Sequence, residues 1–240
     1  MKTLAVGLVL SAIFGAASSA SASDQRPVTA IDILLEPDAA MLRHAQAANA
    51  RLLKVYPSGF ALDEAHSPHI TLIQRYVRTR DLDKVYAAAG RVVASSNARA
   101  MKLEAFKYGY TPGGAVGVAG IFIRPTPELL KMQQEMIAAI APFTVEAGTI
   151  GAFTADHGDA ASDAALVGYV ATFVPKQTGE HFQPHVSTGA APTAYLDKMV
   201  AEPFERFTFS PQAAAIYQLG PFGTAAKRLK VWATPGSEPR

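Results

Sequence analysis

The sequence predicts an α+β fold made of two related halves. Three observations lead there. Short apolar or β-branched runs alternate with stretches of helical periodicity, the order β-α-β-α-β-β-α is followed by a similar set, and one Pro-His motif occurs in each half.

Val28 to Leu35 is β-branched and apolar enough for a buried strand. Pro37 suits the first turn of a helix that continues through Met41, Ala45, Ala48 and Leu52, and Pro57-Ser58-Gly59 ends it. His69 to Val77 reads as a second strand, and Asp81 to Val93 as a helix with Leu82, Val85, Ala89 and Val92 turned inward. Met101 to Tyr110 and Val116 to Ile123 form a hairpin across Thr111-Pro112-Gly113-Gly114. Pro127 to Ile140 is a helix with Leu129, Met132, Met136 and Ile140 on one stripe.

The second half repeats this vocabulary less clearly. Thr144 to Asp163 is rich in Gly and Ala and reads as a long connection, a mobile loop over a site. Ala164 to Val174 fits strand or helix, because periodicity alone does not separate them in a short apolar run. Gln183 to Gly189 reads as a strand and Thr193 to Val200 as a short helix. Phe204 to Phe209, Ala214 to Leu219 and Leu229 to Ala233 add further strands. No short-period repeat accompanies the pattern, so the halves are related in architecture and are not an array.

Composition excludes several chemistries. The chain has 240 residues, 49% hydrophobic and 18% charged, with a formal charge of +2 and no cysteine. Disulfides, a thiolate nucleophile, Cys-ligated zinc and iron–sulfur clusters are therefore out. The charge balance gives no basis for a duplex-binding surface, although it accommodates small anionic ligands. Met1-Lys2, the apolar run Leu4 to Ala17 and the small residues Ser18-Ser19-Ala20-Ser21-Ala22 have the form of a secretory leader. The run is shorter than the roughly 20 residues of a comfortable membrane span. Residues 1–22 are thus expected to be removed near Ala22, leaving a secreted or periplasmic protein without stable membrane insertion. Residues 23–240 are expected to form one domain, with lobes at approximately 28–142 and 143–240, and a monomer.

Two histidines stand apart from the other four. The chain reads Pro68-His69-Ile70-Thr71 in the first half and Pro184-His185-Val186-Ser187 in the second, each Pro-His-apolar-hydroxyl. Strand alternation puts His69 with Thr71, and His185 with Ser187, on one face while Ile70 and Val186 pack on the other. Two such strands at one cleft present two imidazoles and two hydroxyls to a shared ligand. Imidazole titrates near about 6.5, so one ring can serve as general base while the other serves as general acid. The hydroxyls can donate to phosphate oxygens.

This constellation resembles the two-histidine phosphoesterase superfamily, which includes 2′,3′-cyclic nucleotide phosphodiesterases and 2′-5′ RNA ligase-like proteins. The match lies in the paired His-x-Thr/Ser windows His69-Ile70-Thr71 and His185-Val186-Ser187. The resemblance implies a bilobal fold with antiparallel sheets around a central groove, one motif per lobe, and no metal or other cofactor. It implies that His69 and His185 are the acid–base pair and that Thr71 and Ser187 bind phosphate. The symmetry of the motifs leaves the two roles unassigned. No basic side chain follows Ser187 directly, since the chain continues Thr188-Gly189-Ala190-Ala191.

Other residues have plainer readings. Arg75 is either a phosphate-steering cation or a solvated strand-end charge. Tyr76, Tyr108, Tyr110 and Tyr217 either stack on a base or pack in the sheet. His66 and His181 either flank the groove mouth or are exposed loop residues; His44 and His157 receive no role. No Gly-x-Ser-x-Gly supports a serine hydrolase. The leading expectation is an exported, metal-independent phosphoesterase that opens cyclic phosphates on a nucleotide or RNA end. A non-catalytic phosphate- or nucleotide-binding protein with the same groove, or an envelope structural domain, are the alternatives.

Overall fold

A computed structural model describes residues 27–154 and 160–233. The leader expected over residues 1–22 lies outside the described residues. Strand β1 (Val28–Pro37) alternates as its sequence asks: Ile31, Ile33 and Leu35 enter the main core, while Ala30 and Leu34 turn to the other face. Helix α1 (Ala39–Val55) begins one residue after its cap. The Asp38 carboxylate accepts from the Ala40 and Met41 amides, and its second oxygen accepts from the Ser210 amide at 2.9 Å. Pro37 therefore ends β1, paired with Pro211, instead of opening the helix.

Strand β2 (Ile70–Arg78) leads through a short turn to α2 (Leu82–Ser95), which buries Val85, Ala88, Ala89 and Val92. Strands β3 (Leu103–Gly113) and β4 (Val116–Ile123) are the expected hairpin, with Gly114-Ala115 at the tip and Gly114 at φ 81°. Helix α3 (Pro127–Ile140) matches its predicted span, for a local reason. Thr126 caps the Leu129 amide, Pro127 sits where no amide hydrogen is needed, and the predicted stripe is buried.

The connection from Thr144 is more anchored than its composition implies. Its first residues form β5 (Thr144–Val145) on β2, and Ala152 and Phe153 are buried against Tyr76. The ambiguous run 164–174 lies inside α4 (Ala160–Gln177). The chain continues with β6 (His185–Pro192), α5 (Thr193–Val200), β7 (Phe207–Phe209), β8 (Pro211–Leu219) and β9 (Ala225–Ala233).

The described strands make one antiparallel sheet of nine, ordered β7-β3-β4-β6-β2-β1-β8-β9, with β5 beside β2. Strands β7, β3, β4 and β6 form one wing; β2, β1, β8 and β9 form the other. Each wing takes strands from both sides of residue 142. They join at one bridged pair, Ile70 opposite Val186. One face of the sheet packs on α1, α2 and α3, whose Met41, Val85, Leu129, Met132 and Met136 share a core with Ile31, Ile33, Ile70 and Val186. Each fully buried aliphatic side chain there contributes about 1.5–3 kcal/mol. Helix α4 covers one end of the opposite face, where Val170 meets Ala30, Tyr76 and Leu219.

Because Asp38 caps α1 and also binds Ser210, it ties the first helix to the start of β8. Asp38→Ala should cost about 1–2 kcal/mol in urea unfolding. A midpoint equal to wild type would show the cap to be dispensable.

Candidate active site

The pairing of Ile70 with Val186 builds the site. Both residues are fully buried in the main core, so the positions on either side of each turn to the opposite face. In this antiparallel register His69 lies across from Ser187, and Thr71 across from His185. The two imidazoles therefore occupy a diagonal, a spacing of roughly 7–8 Å between backbone positions in such a ladder.

The proline in each motif also acquires a purpose. His69 Nδ1 lies 2.6 Å from the Ser67 carbonyl and His185 Nδ1 lies 2.9 Å from the Gln183 carbonyl. Each contact reaches back two residues across the proline, whose fixed φ holds that carbonyl in place. An acceptor at Nδ1 requires a proton there and leaves Nε2 as the working atom of each ring.

Sequence reasoning missed Asp32. This carboxylate is fully buried on β1, and its Oδ2 accepts from Thr71 Oγ1 at 2.7 Å and from Gln74 Nε2 at 3.0 Å. The same oxygen lies 3.5 Å from His69 Nε2. Asp32 Oδ1 and Gln74 Oε1 are buried without a hydrogen-bond partner among the described residues. The signal was present as one charge inside the apolar run Ala30-Ile31-Asp32-Ile33-Leu34, since Asp is almost never fully buried unless paired.

A β-bulge decides which β2 residues share this face. Ile33 pairs with Ile73 but Leu34 pairs with Thr71, so Leu72 is an extra residue and the alternation changes phase. Gln74 consequently joins Thr71 beside Asp32. Arg75, opposite the core residue Ile31, turns away and reaches Thr144 Oγ1 at 3.5 Å. Unbroken alternation from His69 would have put Arg75 in the groove.

His185 lies on an aromatic bed. Its ring stacks on Phe122 with centroids 5.2 Å apart and planes 19° apart. Glycines make that bed possible. A Cβ on Gly109 would come within 2.5 Å of the Phe122 ring, and one on Gly120 within 3.3 Å of His185 Cδ2. Lys107 Nζ sits 5.3 Å from the Phe122 centroid, so β3 supplies a cation that no residue directly after Ser187 provides. Ser187 is half-buried, and its hydroxyl has no partner among the described residues.

The two rings differ electrostatically. Burial disfavours charge on His69, but the Asp32 carboxylate outweighs it and holds the imidazole above its ordinary value. His185 is pushed down by burial; the Gln183 carbonyl at Nδ1 and the Asp32 charge favour its protonated form, but they do not outweigh burial together with the charge on His69.

The remaining candidates are structural or lie elsewhere. Tyr76 is 1% exposed, donates to the Val167 carbonyl, and is raised to about 12 by burial. Tyr217 faces the groove from β8 but donates to Glu36 at 2.8 Å and accepts from Arg228 at 2.7 Å. Tyr108 packs edge-on against Phe204, and Tyr110 donates to Asp197. His66 pairs with Asp63 and stacks on Phe60; His44 stacks on Phe207; exposed His181 lies beside Glu180. His157 is outside the described residues.

Gly109→Ala should displace Phe122 and with it the His185 ring. The expected result is a changed His185 imidazole resonance and a stability loss of about 1–3 kcal/mol. Unchanged His185 resonances would mean that the bed does not position the ring.

No family model and no curated protein sequence matches the chain. Solved structures do. The protein TT0787 of Thermus thermophilus aligns over 88% of this chain and 100% of its own, with 15% identity and a TM-score of 0.52. LigT of E. coli, solved in complex with 3′-AMP, aligns over 86% of this chain and 98% of its own, with 14% identity and a TM-score of 0.41. At such identity the likeness to TT0787 establishes a shared architecture and nothing more.

Proposed function

We propose that the protein is a metal-independent phosphoesterase that opens cyclic phosphates, of the 2′,3′-cyclic nucleotide or RNA-end type, by two-histidine acid–base catalysis. The observation that supports this reading is the pair of imidazoles flanking one strand pairing. Each is tied at Nδ1 to a carbonyl two residues back and presents Nε2 to the same face.

The chemistry follows from that arrangement. A cyclic phosphate bound between the rings has one histidine beside the attacking water and the other beside the departing ribose oxygen. One Nε2 accepts a proton from water as its oxygen bonds to phosphorus; the other donates a proton as the ring P–O bond breaks. Ser187 has a hydroxyl proton free for a non-bridging oxygen, where charge accumulates. Thr71 has the same chemical group in a different state. Its proton is donated to Asp32, so Thr71 acts on the carboxylate, and phosphate binding falls mainly to Ser187. Lys107 adds a positive field at the edge of the His185 bed.

The substrate is a small phosphorylated molecule, a nucleotide or RNA terminus, because two rings and one free hydroxyl suit a single phosphate held locally. With the leader removed, the enzyme works outside the cytoplasm, in the periplasm or the medium. Among the described residues no helix is long and apolar enough to cross a membrane.

Purified protein should open a nucleoside 2′,3′-cyclic phosphate in the presence of EDTA, with His69→Ala or His185→Ala each lowering kcat by about 10²–10⁴-fold. A rate unchanged in either variant would end the two-histidine reading.

A further inference from the structure

The motifs look interchangeable in sequence, yet their surroundings are not. Both ring nitrogens of His69 face acceptors: the Ser67 carbonyl at Nδ1 and the Asp32 carboxylate at Nε2. With Asp32 ionised neither partner can donate, so both are satisfied only when the ring carries two protons. His185 has an acceptor at Nδ1 alone, and its other contact is the face of Phe122. Its neutral form, with a proton on Nδ1 and a lone pair on Nε2, satisfies everything around it.

We propose that Asp32 is a positioning residue that breaks the symmetry of the pair, holding His69 as the imidazolium acid and leaving His185 as the neutral base. This assignment rests on the cyclic-phosphate reading of the site. Asp32 is suited to the task by geometry. It is fully buried, its Oδ2 is fixed by Thr71 and Gln74 from the bulged stretch of β2, and at 3.5 Å it pairs with the His69 charge without a tight hydrogen bond. The Nε2 proton thus remains transferable to an oxygen brought beside it.

The other charged groups around the pair do not compete. Glu36 on β1 contributes to the charge on His69, but it is held by the Tyr217 hydroxyl and by Arg228 from β9, each at 2.8 Å. Tyr169 on α4, pushed up to about 12 by desolvation and then by the Asp32 charge, stays neutral through the working range. From β6 the only titrating neighbour in the site is His185 itself, and a charge on His69 opposes a second charge there.

The step balances. His185 Nε2 takes a proton from water, the water oxygen bonds to phosphorus, the ring P–O bond to ribose breaks, and His69 Nε2 gives its proton to the ribose oxygen. The rings are left with exchanged charges, which solvent resets. Turnover requires His185 neutral and His69 protonated. The rate therefore rises with pH through the depressed His185 midpoint and falls through the elevated His69 midpoint.

The test joins NMR titration of the imidazole protons to a pH–rate profile on a nucleoside 2′,3′-cyclic phosphate, for wild type and Asp32→Asn. In wild type, His69 should titrate above His185, a measurement that needs no variant. In Asp32→Asn, the His69 midpoint and the alkaline limb of kcat should both move down by about 1–3 pH units, and the acid limb should move less, because Asp32 pairs directly with His69 but reaches His185 only through its field. His69 titrating at or below His185 in wild type overturns the proposal, as does a faster Asp32→Asn enzyme at neutral pH, the mark of exchanged roles. A wild-type protein that turns over no cyclic phosphate overturns the catalytic reading instead, whatever the order of the two midpoints; an inverted order with turnover intact overturns the role of Asp32 alone.

Discussion

The pairing of Ile70 with Val186 is the constraint on which the rest of this structure depends. Among the described residues it is the only bridge between β2 and β6, and hence between the two wings. Both side chains are sunk in the core, which leaves their neighbours no choice of face. A slip of one residue would bury His69 and His185 and expose two aliphatic side chains. Core packing and the chemistry of the groove are thus enforced by the same contact, and the apolar residue inside each motif is as necessary as the histidine before it.

Around that bridge the two sides are furnished differently. On the β6 side the ring rests on Phe122, admitted by Gly109 and Gly120, with Lys107 beyond. On the β2 side a buried carboxylate gathers a hydroxyl, an amide and an imidazole. A duplicated motif has been placed in two unlike environments, one apolar and cation-edged, the other anionic. Burial alone would lower both imidazoles; only the side with Asp32 reverses the direction.

Much of this is legible in the sequence, for local reasons. The span of α3 follows from Thr126, Pro127 and a four-residue stripe, and the strand face of each motif follows from alternation. What escapes depends on partners far away in the chain. Asp32 has meaning only when Thr71 and Gln74 are beside it, and β1 carries no trace of that pairing beyond one charge among aliphatics. Arg75 is misplaced by alternation because a bulge at Leu72 is a two-strand property: nothing in Ile70-Thr71-Leu72-Ile73 marks the extra residue. Tyr76 reads as a stacking platform for the converse reason. Its burial comes from Phe153 and Val170, contributed by the long connection and α4, whose composition suggests a loose segment. The helical identity of 164–174 likewise needs a surface to lie on.

The interleaving of the wings has a consequence for how the chain reaches this state. Strand β1 lies between β2 and β8, and its partner Ala214 is separated from Leu35 by most of the chain. The β3–β4 hairpin likewise waits for β6 on one side and β7 on the other. Few of the sheet's pairings are local, so loop-closure entropy opposes the early steps and the reward arrives late. Such a topology belongs with the high-contact-order folds that assemble in milliseconds to seconds. Until β8 docks, the edge of β1 that carries Asp32 has unpaired backbone groups. Closure of the C-terminal strands therefore completes the β1 edge beside Asp32.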